Sequence, residues 1–168
     1  MKKALIISLI GILSFNNVFS QEHCLDTFFY EQDLSKIKDR NNNRVVVKYD
    51  FKLSESLKSS IFSISLFTEY EKQIIQDSLL KNNYVPCNRI LKIISSLKNR
   101  PIDEKLKFIS LRYSKPIFVS DNKVYIFYEI GLKRENDSSI KGGGTYLKIF
   151  QKKENVWEET DKKTLEYY

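Results

Sequence analysis

Short strand-like runs follow one another through the C-terminal half of the chain, and this pattern constrains the fold more than any other feature. The most strongly apolar run covers residues 124–132, and further strand-like runs cover 106–113 and 145–151. Because successive side chains of a strand point to opposite faces of a sheet, each run has one apolar face to bury. Turn-forming residues, such as those at 153–155, separate the runs. The pattern therefore predicts an antiparallel meander, with a last strand that opens at Trp157.

Helical patterns precede this meander. A loose helical period covers residues 22–38, and Thr68-Glu69-Tyr70-Glu71 has the form of a capping box that opens a helix to about Lys81. A stripe of isoleucine and leucine side chains at helical spacing predicts another helix from about Asn88, and Arg100-Pro101 ends it. The sequence thus predicts two to three helices.

Two shorter alternating runs, at residues 45–53 and 61–67, predict an antiparallel strand pair joined by the polar connector 54–60. Strands interrupted by helices predict a single α+β domain, in which helices pack on one face of an antiparallel sheet meander. The expected core combines one helix with the central strands, and it consists of Ile90, Ile93, Ile94, Leu97, Val124, Ile126, Tyr128, Ile130, Leu147 and Ile149.

Residues 1–20 have the pattern of a secretory signal peptide, with Lys2 and Lys3 ahead of an apolar run and Val18-Phe19-Ser20 as the cleavage site. The apolar run is roughly twelve residues long, whereas a membrane span needs roughly 20, so a transmembrane anchor is the weaker interpretation. We therefore expect residues 21–168 to form one exported domain, secreted or periplasmic, with no membrane span after cleavage.

Export to an oxidising compartment decides how the two cysteines are interpreted. A disulfide between Cys24 and Cys87 is the default for an even pair in a secreted protein. Two reduced thiols are an open alternative. Lipidation of Cys24 is a weaker one, because Gln21-Glu22-His23 does not form the small-residue motif that lipoproteins carry before the cysteine.

The composition excludes several kinds of chemistry. His23 is the only histidine and lies beside the processed terminus, so multi-histidine zinc sites and rigid Ser–His or Cys–His pairs are not expected. A copper or nickel site at the terminal Gln21 amine is disfavoured, because N-terminal glutamine cyclises readily. No cofactor or metal is therefore predicted. The net charge of +7 is spread among acids, so no nucleic-acid partner is predicted either.

Four short motifs follow one another through the last third of the chain. They are Ser114-Lys115-Pro116-Ile117-Phe118, Asp121-Asn122-Lys123, Gly142-Gly143-Gly144 and Lys152-Lys153-Glu154-Asn155-Val156-Trp157. With the junction Phe19-Ser20-Gln21, this order resembles small uncharacterised exported proteins of Bacteroidetes-type bacteria. The resemblance implies a single exported domain and no particular activity. Several such proteins carry cysteines near the glycine loop, and this chain has none there.

Strand alternation predicts an aromatic surface on the side of the sheet away from the helices. Aromatic side chains supply contact area, and basic residues among them can hold an anionic group. An ordinary solvent-facing sheet, or burial under the N-terminal helix or the C-terminal tail, remains the alternative for this surface. The predicted face consists of Phe108, Arg112, Tyr125, Phe127, Glu129, Tyr146 and Lys148.

These observations favour two candidate functions. The first is a non-enzymatic exported binding protein, of the inhibitor or immunity type, whose partner is a protein or a cell-envelope component. The second is an acid–base hydrolase of envelope polysaccharide, because glycosidases work with two carboxylates and no histidine. Its candidate carboxylates are Glu129 with Glu31, Asp33 or Asp121.

Overall fold

A computed structural model describes residues 25–40, 45–52, 54–63, 65–81, 84–98, 108–133 and 142–167. Within these ranges four helices and six strands form an α+β fold, as predicted. The helices are α1 (Leu25–Arg40), α2 (Glu55–Ser63), α3 (Glu69–Leu80) and α4 (Asn88–Lys98). The strands are β1 (Val45–Lys48), β2 (Phe108–Tyr113), β3 (Ile117–Ser120), β4 (Lys123–Lys133), β5 (Gly143–Lys153) and β6 (Val156–Tyr167).

The strands form one mixed sheet, so the prediction of a purely antiparallel meander is wrong. The order is β1-β2-β4-β5-β6, with β3 pairing β4 beside this path. Neighbours from β2 to β6 are antiparallel, but β1 runs parallel to β2, with Val45 opposite Ile109. A parallel pair needs a long crossover, and the chain between β1 and β2 supplies one that contains α2, α3 and α4.

The segment predicted as a second strand, 61–67, instead holds the last turn of α2, which ends at Ser63, and a turn at residues 65–67. The strand predicted at 45–53 stops at Lys48. The supposed connector contains the start of α2, because the Leu57 amide donates to the Ser54 hydroxyl at 3.1 Å, as at a helix N-cap. Leu57 and Ile61, one helical turn apart, are both buried. Apolar side chains spaced four apart therefore decide this segment in favour of a helix.

Two buried clusters lie on opposite sides of the sheet, because alternate residues of β4 belong to different clusters. The α1/α4 core consists of Phe29, Tyr30, Leu34, Val45, Ile90, Leu97, Leu111, Tyr113, Val124, Ile126, Tyr128 and Phe150. The α2/α3 core consists of Phe51, Leu57, Ile61, Phe67, Ile75, Leu79, Ile117, Val119, Tyr125, Phe127, Leu147 and Ile149. Helical side chains thus contribute to both clusters rather than to one. Of the predicted core, Leu147 and Ile149 are buried on the side opposite Val124 and Ile126.

The predicted capping box at the start of α3 is confirmed, and it also ties the helix to the sheet. The Glu71 amide donates to the Thr68 hydroxyl at 3.2 Å, and the Glu71 carboxylate accepts from the Thr68 amide at 2.9 Å. The same carboxylate accepts from Lys123 at 2.8 Å and from the Tyr125 hydroxyl at 2.9 Å. Burial raises the pKa of Glu71, but these donors outweigh burial and lower it to about 2.

We expect Glu71→Gln to destabilise the protein at neutral pH and to flatten the acid limb of its stability curve. The carboxylate contributes stability above its unfolded pKa near 4.5, and this contribution is lost as the pH falls towards 2. One pKa unit corresponds to about 1.4 kcal/mol, and solvent screening reduces the full shift, so the loss should be on the order of 1–2 kcal/mol. Urea unfolding between pH 7 and pH 2 measures both effects.

Glu69→Gln is the matched control, because Glu69 lies in the same helical turn with its side chain 89% exposed. This variant should keep the acid limb of the wild-type curve. Equal pH dependence of Glu71→Gln and the wild type would contradict the role assigned to the Glu71 carboxylate.

Candidate binding cleft

The strand register divides the predicted aromatic face between the two sides of the sheet. Arg112 lies opposite Glu129, so these residues share the side of Tyr125 and Phe127. Tyr146 lies opposite Tyr128, and Lys148 lies opposite Ile126, which places both on the α1/α4 side. The expectation that all seven residues share one face is therefore wrong for Tyr146 and Lys148. Alternation gives two faces for each strand, but only the register tells which faces of neighbouring strands coincide.

Burial removes the centre of the predicted face from contact with a partner. Tyr125 and Phe127 are fully buried, with their rings packed against Phe67 and Phe51 at centroid distances of 5.2 and 5.9 Å. Tyr125 and Phe127, which were predicted on an outer face, therefore belong to the core. The side chain of Phe108 is not among those that the structure describes.

Lys148 is the most buried charged side chain of the predicted set, at 5% exposed. Its ammonium group donates to Asp33 on α1 at 2.7 Å and to Glu159 on β6 at 2.6 Å. A buried charge is stable when it is paired and hydrogen-bonded, and here both partners are carboxylates. Lys148 thus fastens α1 to the β5–β6 hairpin rather than facing a ligand.

Only one of the two cysteines of the predicted disulfide, Cys87, lies among the residues that the structure describes. Cys24, like the possible metal-binding terminus at residues 21–23, lies outside the described residues. Cys87 directly precedes α4 and is half-buried against the α1/α4 core. Pairing of Cys24 with Cys87 stays a prediction.

A cleft of about 730 Å³ lies at the end of the sheet where β5 turns into β6. Three aromatic side chains from separate elements border it: Tyr70 in the first turn of α3, Phe118 on β3 and Trp157 on β6. The other lining residues are Ile74, Val119, Ser120, Asp121, Lys152 and Asn155.

The aromatic wall of the cleft continues from the core to the solvent. The Trp157 ring packs against Phe29 of the α1/α4 core, with ring centroids 5.6 Å apart, and against Phe118, with ring centroids 6.1 Å apart. Phe118 is 48% exposed and Tyr70 is 71% exposed, whereas half of the aromatic side chains whose burial the structure describes are buried. Trp157 is thus anchored on one side, while Phe118 and Tyr70 present apolar surface outward.

Local backbone geometry explains why these rings lie at the surface. Phe118 is on the outward-facing side of β3, whose burial alternates between buried and exposed residues. Glu154 and Asn155 both have positive φ, 48° and 66°, as in the tight turn that suits the twist of a hairpin. This turn places Trp157 opposite Lys152 at the start of β6.

Polar groups of both signs surround the aromatic wall. The Lys152 ammonium lies 6.0 Å from the Trp157 ring, within the range of a cation–π contact. Asp121 and Asn155, both in turns, supply a carboxylate and an amide to the same cleft. The cleft thus combines apolar surface, which supplies contact area, with polar groups that can orient a ligand.

Glu129 lines a second, smaller pocket of about 300 Å³ together with Glu166. Both carboxylates belong to one row across the sheet, in which Thr145 lies between them. The other lining residues are Phe51, Lys52, Ser54 and Leu57. Arg112 approaches Glu129 at 3.7 Å on the neighbouring strand, a distance at which partly exposed groups interact weakly.

The structure does not bring Glu129 together with the carboxylates predicted as its partners. Glu31 pairs with Arg89 at 2.6 Å, Asp33 pairs with Lys148, and Asp121 borders the aromatic cleft. The sequence did not predict Glu166 as a neighbour of Glu129, because it predicted only the start of β6. The register of β6 against β5 also shifts at two irregularities. The aromatic cleft was missed because it joins residues from distant parts of the sequence.

Comparison of the chain with protein-family models, with curated proteins and with solved structures finds no match. In the part of the chain that the structure describes, no helix is long and apolar enough to span a membrane. Among the same residues, no group of three or more His, Cys, Asp or Glu side chains is placed to hold a metal ion.

We expect Lys148→Ala to destabilise the fold, because Asp33 and Glu159 would lose the cation that lies between them. Breaking a buried ion pair costs about 3–5 kcal/mol, and the lower end applies here since Glu159 is partly exposed. Lys163→Ala is the control, because Lys163 pairs with Asp161 at the surface, where such pairs contribute about 0–1 kcal/mol. Denaturant midpoints compare the two variants, and equal losses would contradict the anchoring role of Lys148.

Proposed function

We propose that the protein is an exported binding protein without catalytic activity of its own, and that the aromatic cleft is the place where its target docks. The partner is a protein surface or another component of the cell envelope, as for an inhibitor or immunity-type protein. Secretion by the predicted signal peptide, and a Cys24–Cys87 disulfide that holds the start of the mature chain, belong to the same proposal.

The observation that carries the proposal is the exposure of aromatic side chains around one concave site. Exposed aromatic surface costs hydration free energy, and protein interfaces are enriched in Tyr, Trp and Phe for the contact area that they supply. Tyr70, Phe118 and Trp157 meet this description at one place and on three different elements. A cluster of this kind favours recognition over accidental exposure.

The anchoring of Trp157 adds a second argument. Binding energy concentrates in well-packed aromatic residues at the centre of an interface, where little side-chain entropy remains to be lost. Trp157 is already held by Phe29 and Phe118, so a target would contact a preorganised ring. Lys152 and Asp121 then supply polar contacts of opposite sign at the rim.

We expect target binding to shift the emission of Trp157 to shorter wavelength and to protect it from quenching by acrylamide. Trp157 is the only tryptophan of the chain, so its fluorescence reports the cleft directly. The signal should follow titration with envelope glycan fragments or with extracts of envelope proteins. Phe118→Ala should weaken the interaction by about 1–3 kcal/mol, the range of an interface aromatic residue.

Tyr167→Ala is the matched control, because Tyr167 is as exposed as Tyr70, at 77% against 71%, but lies outside the cleft. The affinity of this variant for the same target should equal that of the wild type. Equal losses for Phe118→Ala and Tyr167→Ala would show general surface adhesion, and an unchanged affinity of Phe118→Ala would remove the cleft from the interface.

The second candidate function, an acid–base hydrolase of envelope polysaccharide, is supported by one specific observation. Glu129 and Glu166 lie in the same pocket on strands that both pair with β5, so their backbones are roughly 10 Å apart, two inter-strand spacings. Inverting glycosidases hold two carboxyl groups roughly 6.5–9.5 Å apart with a water between them. In this candidate function Glu166, rather than Glu31, Asp33 or Asp121, is the partner of Glu129.

If the pocket is catalytic, Glu129→Gln and Glu166→Gln should each abolish release of reducing ends from envelope polysaccharide. The Phe118→Ala variant should keep full hydrolysis, because Phe118 lines the other cleft. Hydrolysis that survives both carboxylate substitutions would exclude this pocket as its source, and hydrolysis absent from the wild type would leave binding as the function of the chain.

A further inference from the structure

Five tyrosines form a continuous row across the sheet. Tyr113, Tyr128 and Tyr146 lie opposite one another on β2, β4 and β5. Tyr49, directly after β1, extends the row at one edge, and Tyr167 on β6 extends it at the other. Successive ring centroids are 5.9, 5.6, 5.2 and 6.4 Å apart from Tyr49 to Tyr167.

The first three contacts of the row are stacked rather than edge-on. The interplanar angles are 27° for Tyr49–Tyr113, 23° for Tyr113–Tyr128 and 23° for Tyr128–Tyr146. Tyr30 and Tyr84 join Tyr49 at 5.2 and 5.5 Å. Phenol rings in van der Waals contact thus connect the two edges of the sheet over roughly 19 Å, four inter-strand spacings.

Access to water differs along the row. Tyr113 is 1% exposed and Tyr128 is 3% exposed, whereas Tyr167 is 77% exposed. Burial raises the pKa of both inner hydroxyls, and the nearby Asp33 carboxylate raises each pKa further. The inner hydroxyls therefore retain their protons, whereas the Tyr167 ring lies at the surface in contact with water.

Charges beside the row favour the passage of a positive charge from ring to ring over its retention on one inner ring. The Asp33 and Glu159 carboxylates on this side of the sheet are both paired with the Lys148 ammonium, at 2.7 and 2.6 Å, so they do not hold a positive charge on Tyr128. The Lys162 ammonium lies 5.5 Å from the Tyr128 ring and 5.1 Å from the Tyr146 ring, where it opposes a lasting positive charge. These two rings are therefore suited to relay an oxidised state, and Tyr167 is suited to keep it.

We propose that the tyrosine row carries one-electron oxidising equivalents from half-buried rings to Tyr167, independently of what the cleft binds. An outer-sphere one-electron oxidant in solution removes an electron from a ring such as Tyr49. Electrons then move from ring to ring towards the oxidised tyrosine, and Tyr167, at the other end of the row, supplies the last electron. Its hydroxyl loses a proton to water, so the net change is Tyr–OH plus oxidant to Tyr–O•, a proton and the reduced oxidant. The buried core is thereby returned to its reduced state.

Photogenerated tris(bipyridine)ruthenium(III) is a suitable oxidant for the test, with peptide mapping of oxidised tyrosine as the readout. Tyr70 and Tyr167 are similarly exposed, but Tyr70 lies outside the row. At low oxidant dose we expect Tyr167 to accumulate several-fold more product than Tyr70. Tyr128→Phe keeps a ring at that position but replaces a phenol with a side chain that is far harder to oxidise. It should lower the Tyr167 product to the level of Tyr70.

Tyr146→Phe should have the same effect, and it serves if the buried substitution at Tyr128 prevents folding. Tyr70→Phe is the control and should leave the Tyr167 product unchanged. Equal product at Tyr70 and Tyr167 in the wild type would overturn the proposal. An undiminished Tyr167 product in a folded Tyr128→Phe or Tyr146→Phe variant would overturn it as well.

Discussion

The burial of β4 on both of its sides is the constraint on which the rest of the structure depends. Val124 and Ile126 belong to the α1/α4 core, and Tyr125 and Phe127 belong to the α2/α3 core. A strand whose side chains are apolar on both faces needs cover on both sides, in contrast to a half-exposed antiparallel strand. Helical side chains supply this cover. Two of the aromatic side chains that stay exposed, Tyr70 and Phe118, lie at the end of the sheet where the cleft lies.

The sequence predicted the elements whose signals are local. The capping box at Thr68 and the apolar stripe of α4 depend on residues within one or two helical turns, and the structure has both. The helix α2 was missed because serines dominate residues 54–60, and serine serves equally in a connector and at a helix N-cap. The parallel pairing of β1 was missed because nothing within residues 45–48 distinguishes it from an antiparallel neighbour.

The site was harder to predict than the fold, because it depends on register and on distant contacts. Tyr146 and Lys148 were assigned to the wrong side although their alternation was read correctly, since the register between β4 and β5 decides which side each residue takes. The cleft joins α3, β3 and β6, and no spacing in the sequence relates these elements. Only the aromatic content of the chain pointed in this direction, and half of the aromatic side chains whose burial the structure describes are core.

The outer edge of the sheet also bears on how a partner docks. β6 is a long edge strand, and such strands can pair with another chain through their free backbone groups. Its register skips Thr160 and Leu165, as at β-bulges, and Lys162 and Lys163 are exposed between these two points. Bulges and lysines both discourage strand addition. These features agree with the proposal that a partner docks through side-chain contacts in the cleft rather than by extension of the sheet. Trp157 is the residue at which the edge strand and the cleft meet.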